Sequence, residues 1–322
     1  MFKTRFLSLV LALLLLGGCA APDADSEDIY TNEVTLEEVI IEDEAVALAA
    51  APAAQSKKLK AKASGKLTKE SSSAIIDYSN TSEGYVMVKY TASTSKRLKV
   101  QVKGPKSTYT YNINPKEWNT FPLSEGNGSY IVTVYSNVSG TSYATVLSAK
   151  FTVKLKDEFS PFLYPNQYVD YSSAPNSVKK AEELCKNKAT NLDKVAAVYD
   201  YVVDTLTYDS QKAATVKSGY LPVMDSVLKA KKGICFDYAA LMTGMLRSQG
   251  IPCKLVVGYA GKAYHAWINV WSEDSGWVDG VIHFDGKTWK RMDPTFASSS
   301  SRSSSMMDYI GNGKNYSSKY LY

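Results

Sequence analysis

Three side chains in this sequence have the types and settings of a nucleophilic relay: Cys235, His265 and Asp293. A cysteine attacks a carbonyl carbon as its thiolate, so it needs surroundings that lower its pKa and a base within reach. Cys235 opens a stretch in which Ala239, Met242 and Leu246, flanked by Leu241 and Met245, recur at helical spacing until Gly250 and Pro252 stop it. The thiol therefore falls at or just before the first turn of a buried helix, where unpaired N–H groups and the positive dipole end favour an anion. Of the two histidines, His265 and His283, the first opens His265-Ala266-Trp267-Ile268-Asn269-Val270-Trp271, whose alternation reads as a half-buried strand. Asp293 ends the segment Trp289 to Asp293 ahead of the strand-breaking Pro294, a position from which a carboxylate can hold an imidazole in one tautomer. The backbone N–H of Cys235 is one candidate oxyanion donor, and Tyr208, Gln211 and Tyr220 are candidates for the second. Trp267 and Trp271 are candidates to shape a substrate channel.

Several motifs in order, Gly233-Ile234-Cys235-Phe236-Asp237-Tyr238-Ala239, Gly250-Ile251-Pro252, Gly258-Tyr259, His265-Ala266-Trp267 and Asp293-Pro294-Thr295, resemble the core of the transglutaminase-like superfamily. That superfamily is a circularly rearranged relative of papain-type cysteine proteases, and the resemblance covers roughly residues 190 to 296. It implies Cys235 as nucleophile, His265 as general base and acid, and Asp293 as the orienting partner. Tyr208-Asp209 is similar to a family pair, which favours Tyr208 as the second oxyanion donor. The expected function is a cysteine acyltransferase or hydrolase acting on peptide or glutamine amides through a thioester, since this fold carries both reactions. The alternative is a non-catalytic surface-binding or scaffolding lipoprotein with a pseudo-enzyme domain. No cofactor is expected, and two histidines with scattered cysteines give no zinc signature.

The elements that must position these residues suggest an α+β chain: a papain-like transglutaminase core of helices on an antiparallel sheet, preceded by an immunoglobulin-like β-sandwich. Residues 1–18 read as a signal peptide, with Lys3 and Arg5 before an apolar run from Phe6 to Leu16, too short to span a bilayer. Leu16-Gly17-Gly18-Cys19 resembles a bacterial lipobox, which implies lipidation at Cys19 and a location on the outer face of a bacterial membrane. Residues 19–72 read as an acidic, alanine-rich and then lysine-rich tether. Within 73–156, the sandwich, candidate strands run over 85–90, 98–102, 108–113, 130–135 and 146–155. A connector at 157–176 holds Pro161, Pro165 and Pro175. The catalytic domain spans 177–297, with a helix from 177 to 188, a longer one capped by Thr190 or Asn191 that ends near Tyr208-Asp209, and a short one near 224 to 229. Gln211 to Leu221 and Ser272 to Gly280 read as loops, Asp285-Gly286 as a hairpin turn, and 298–322 as a Ser/Tyr-rich tail.

Composition narrows the partners. The chain has 322 residues with 37 Lys and Arg against 32 Asp and Glu. Ten of the acidic residues lie between Asp23 and Glu44, so setting them aside with Lys3 and Arg5 leaves 22 acidic against 35 basic, about +13. Such a body is compatible with anionic surfaces such as a cell wall, but no aromatic-basic module for nucleic acid is present. The expected partners are a protein or peptide substrate, possible cell-wall linkage included, and the bilayer through acylated Cys19, with the chain a monomer. Cys185 and Cys253 could pair outside the cytoplasm, although their settings favour two small buried hydrophobes.

Overall fold

The computed structural model describes residues 58–272, 276–278, 281–284, 289–300 and 303–322. The expected signal segment, Cys19 and the acidic stretch lie outside them. Eight strands come first: β1 (Thr68–Glu70), β2 (Ala74–Asp77), β3 (Tyr85–Tyr90), β4 (Leu98–Lys103), β5 (Thr108–Ile113), β6 (Trp118–Pro122), β7 (Gly128–Ser139) and β8 (Ser142–Val153). Alternation builds them. In β5, Tyr109, Tyr111 and Ile113 are buried while Thr108, Thr110 and Asn112 are not. The strands form two antiparallel sheets ordered β1-β2-β3-β6 and β5-β4-β7-β8, and the chain crosses between them after β3, β5 and β6. Val86, Val88 and Phe121 of one sheet and Val100, Tyr111 and Val132 of the other belong to one core.

All five anticipated strands form, and β1, β2 and β6 are additional. β1 lies inside the segment assigned to the tether, so the folded part starts earlier than residue 73. Side-chain-to-backbone bonds hold the chain just before it: Asp77 Oδ2 accepts from Gly65 N at 2.7 Å, and Asn80 Nδ2 donates to Lys62 O at 2.7 Å. Such anchoring leaves no periodic trace in a lysine-rich stretch. The connector is likewise no free linker. It forms two 3-10 turns, Ser160–Phe162 and Tyr171–Ser173, and buries Phe159, Phe162 and Tyr168. The Tyr168 ring meets Tyr111 of β5 at 5.7 Å, Tyr322 at 4.5 Å and Phe236 at 5.4 Å, joining the sheets to the helical part.

The second part begins with α1 (Pro175–Cys185) and α2 (Asn191–Thr205). Thr190 Oγ1 accepts from Asp193 N at 3.0 Å and Asp193 Oδ2 accepts from Thr190 N at 3.1 Å, a capping box that fixes where α2 starts. The short strand β9 (Thr207–Tyr208) leads to α3 (Ser210–Thr215), a helix within the expected loop, capped by Asp209. Then come α4 (Met224–Ala230), β10 (Lys232–Gly233), α5 (Cys235–Ser248), β11 (Cys253–Ala260) and β12 (Ala263–Ser272). β13 (Gly276–Val278) pairs with β12 inside the second expected loop, and β14 (Val281–Phe284) pairs with β15 (Trp289–Met292) as anticipated. His283 lies on β14 opposite Lys290. After α6 (Pro294–Ser299) and α7 (Ser304–Gly311), β16 (Tyr316–Leu321) completes an antiparallel sheet in the order β13-β12-β11-β16.

The tail is thus part of the core sheet. Arg247, at the end of α5 and almost fully buried, donates from Nε to Cys253 O at 2.8 Å, from Nη1 to Tyr164 O at 2.9 Å and from Nη2 to the main-chain oxygen of Tyr322 at 2.6 Å. Gly258 allows β16 to approach, because a Cβ there would stand 2.0 Å from Ser317 O. Cys185 and Cys253 are both free and buried, not paired. Among the described residues, no helix is long and apolar enough to cross a membrane.

Candidate functional site

Cys235 is the first residue of α5 and is buried. The helix starts there because Asp237, three residues after Ile234, reaches back to accept from Ile234 N at 2.9 Å. Asp237 is fully buried and also accepts from Tyr220 Oη at 2.5 Å and from Lys212 Nζ at 2.7 Å. Asp237 lies two residues past Cys235 in the same first turn, and its carboxylate is paired with the Lys212 ammonium.

His265 lies near the start of β12, against which α5 packs. Both faces of this strand are buried, so the expected half-exposed alternation is replaced by two packed faces. His265 Nε2 lies 2.5 Å from Asp293 Oδ2, with His265 3% and Asp293 1% exposed. Its ring stacks on Phe296 at 4.6 Å and 8°. Asp293 is fixed in turn: it caps α6, Oδ1 accepting from Thr295 N at 3.0 Å and Phe296 N at 3.1 Å, while Tyr316 Oη reaches Oδ2 at 3.2 Å. With Nε2 held by the carboxylate, Nδ1 is the ring nitrogen left for a thiol.

Two links tie the start of α5 to the Asp293 turn. Gly233 pairs with Tyr208, and Asp209 N donates to Gly233 O at 2.9 Å, so Tyr208 is locked beside the residues preceding Cys235. Burial pushes the Tyr208 phenol up to about 12, and the charges of Asp293, Asp209 and Asp237 add to the shift. Tyr238, one turn into α5, lies 3.2 Å from Ser298 Oγ of α6, and Ser298 donates to Leu206 O at 2.7 Å.

The other candidates separate. Tyr220 commits its single hydroxyl proton to Asp237, which removes it as an oxyanion donor in this arrangement, and Gln211 is exposed on α3. Trp267 is buried, nearly parallel to the His265 ring at 6.3 Å and edge-on to Tyr316 at 5.2 Å, which makes it a support for the imidazole. Trp271 packs on Phe159 of the connector at 4.9 Å, at the other end of β12 from His265, and so lines no channel beside the histidine. Tyr316, Phe296, Lys212 and Asp237 were not singled out from sequence. Tyr316, Tyr320 and Tyr322, spaced four and two residues apart, were the available sign of structure in the tail. Among the described residues, no group of three or more His, Cys, Asp or Glu side chains converges as a metal site would.

Comparison with known families falls on the second part of the chain and stops short of Asp293. Residues 178–280 match the model of the transglutaminase-like superfamily. The Bacillus subtilis protein YebA is 25% identical over 195 residues, 54% of this chain and 26% of its own length. A protein-glutamine gamma-glutamyltransferase of Pseudomonas aeruginosa is 29% identical over 119 residues, 32% of this chain and 17% of its own. This chain therefore spans about a quarter or less of either relative. The solved periplasmic domain of TgpA from Pseudomonas aeruginosa aligns over 73% of this chain and 77% of its own at 18% identity, with a TM-score of 0.30.

Proposed function

We propose, from the match of residues 178–280 to the transglutaminase-like superfamily, that the protein is a cysteine acyltransferase or hydrolase of peptide or glutamine amides, with Cys235, His265 and Asp293 as its relay. The observation that carries this reading is the buried 2.5 Å contact between His265 Nε2 and an Asp293 carboxylate that its own helix cap immobilises. In the reduced enzyme the Cys235 proton passes to His265 Nδ1, and the thiolate attacks the amide carbonyl carbon. The Cys235 N–H and the Tyr208 hydroxyl donate to the resulting oxyanion. His265 returns its proton to the departing ammonia or amine, the C–N bond breaks and a thioester remains. A primary amine then forms a new amide, or water releases a carboxylic acid, and Cys235 recovers its proton through His265.

The glutamyltransferase named among the relatives favours glutamine as acyl donor. The strand order β2-β3-β6 against β5-β4-β7-β8, with three crossings between sheets, supports reading the first part as immunoglobulin-like. Residues 1–18 and Cys19 are read as a lipoprotein signal and anchor, which puts the domain outside a bacterial membrane; Cys19→Ala should abolish incorporation of a labelled fatty acid in a bacterial host. The activity test uses a glutamine-containing peptide and fully reduced protein, with and without a primary amine. Ammonia release or amine incorporation that Cys235→Ala and His265→Ala both abolish is the expected result. Absence of release, incorporation and cleavage, with Cys235 alkylating like an ordinary thiol near pKa about 8.5, would favour a binding protein instead.

A further inference from the structure

Asp237 is wholly buried in the first turn of α5, and a carboxylate there must be answered at both oxygens. Oδ2 accepts from Lys212 Nζ at 2.7 Å and from Ile234 N at 2.9 Å, and Oδ1 accepts from Tyr220 Oη at 2.5 Å. Lys212 Nζ also donates to Tyr220 Oη at 2.6 Å and stands over that ring at 4.2 Å. The three side chains close a triangle whose corners lie on α3, on the segment after it and on α5. Burial and the Asp237 carboxylate raise the Tyr220 phenol, so it stays a donor. The relay of Cys235, His265 and Asp293 uses none of the three.

Tyr208 lies four residues before Lys212, and Cys235 lies two before Asp237, so the triangle joins the two stretches that carry the candidate oxyanion donors. Their main-chain connection is slight. The parallel pair of β9 and β10 has two residues on each strand, extended by Thr207 N donating to Lys231 O at 3.0 Å and Asp209 N to Gly233 O at 2.9 Å. So short a pair is marginal by itself. Lys232 adds an ion pair to Asp209 at 3.2 Å, but both of its partners are partly exposed, whereas the Lys212 pair ends on a buried carboxylate. Gly233 leaves no slack beneath that carboxylate, because a Cβ there would stand 2.6 Å from Asp237 Cβ. We propose that Lys212 and Tyr220 are positioning residues which, through Asp237, hold the Cys235 N–H and the Tyr208 hydroxyl in the register at which both reach one oxyanion, a role that rests on the amide chemistry proposed above. Donors of this kind act because they are fixed before the charge develops.

The test removes both charges together, because Lys212→Met alone would leave Asp237 buried without its cation. Lys212→Met with Asp237→Asn keeps a side-chain oxygen for Ile234 N. In reduced full-length protein, kcat of this double variant for ammonia release from a glutamine peptide should fall at least about tenfold with KM within about twofold, since oxyanion contacts are made only in the transition state. Tyr220→Phe, which keeps the ring, should lose about 3- to 10-fold in kcat. Alkylation of Cys235 by iodoacetamide forms no oxyanion and should stay within about twofold of wild type in both variants. A parallel fall in alkylation and kcat would assign the triangle to the thiol, and a wild-type kcat would leave it as packing alone; either result overturns the proposal. Amide hydrogen exchange reads the clamp without turnover. Peptides covering 206–209 and 232–237 should exchange at least about tenfold faster in the double variant while 253–257 stays as in wild type, and unchanged exchange would also overturn it. A wild type that releases no ammonia sinks the acyl-transfer reading and the oxyanion role with it, while exchange still decides whether the clamp exists.

Discussion

Asp293 has both carboxylate oxygens engaged: Oδ1 takes two main-chain N–H groups, and Oδ2 takes His265 and Tyr316. Removing the carboxylate frees the imidazole to rotate and unstack from Phe296. Asp293→Ala should lower kcat/KM for amide turnover on the order of 10²–10⁴-fold, the range for losing an oriented acid–base group, as measured by ammonia release. Tyr316→Phe removes one hydrogen bond to the same oxygen and should cost about 3- to 10-fold, with a shifted pH–rate profile and unchanged melting. The thiols should separate sharply. Burial pushes the Cys253 thiol up to about 12 and raises that of Cys185 as well, so neither supplies much thiolate near neutral pH. All three thiols are buried, so the difference rests on the His265 relay: in reduced native protein iodoacetamide should modify Cys235 ahead of both, read by peptide mass, and labelling of Cys253 at an equal rate would count against the relay.

At the scale of elements, α5 and β16 decide the site. α5 supplies Cys235 at one end and Arg247 at the other, where three main-chain oxygens from β11, the connector and Tyr322 converge on one guanidinium. Burial pulls that guanidinium down to about 10, which leaves it charged at neutral pH. Arg247→Met would strand those buried acceptors and should cost about 3 kcal/mol in urea unfolding, with loss of activity following loss of fold. Thr190→Ala, which removes the cap of α2, should cost only about 1 kcal/mol and leave turnover intact. Gly258 and Tyr316 connect β16 to the chemistry, since the glycine admits the strand and the strand delivers the hydroxyl.

At the scale of the molecule, a tyrosine cluster of Tyr109, Tyr111, Tyr168 and Tyr322 joins the sandwich to the helical part. Burial raises the phenol of every member above its ordinary value. A raised folded-state pKa for a group that ionises near 10 when unfolded contributes stability that is complete below about pH 10 and is lost as pH climbs above it. Alkaline titration of the 23 tyrosines should therefore show a late step in tyrosinate absorbance, beyond the ionisation of the exposed ones, that coincides with loss of the circular dichroism signal. Absorbance that reaches its final value before unfolding would mean that the cluster is open to water. The two parts are also expected to unfold together, because they share one core.

The sequence by itself determined the local facts. The helix with Cys235 at its head, the strand of His265, the stop at Asp293, a cap at Thr190 or Asn191 and five strands of the first part all follow from periodicity, capping and turn chemistry, which act over a few residues. Only the tertiary structure decided the rest. It placed the Asp293 carboxylate on Nε2, gave Tyr220 to Asp237 and Trp271 to the connector, and drew Tyr316 and the lysine-rich start at residues 62 to 70 into the fold. These outcomes depend on contacts between residues distant in sequence, and on which acceptor a single hydroxyl proton finds first. No local pattern encodes that choice.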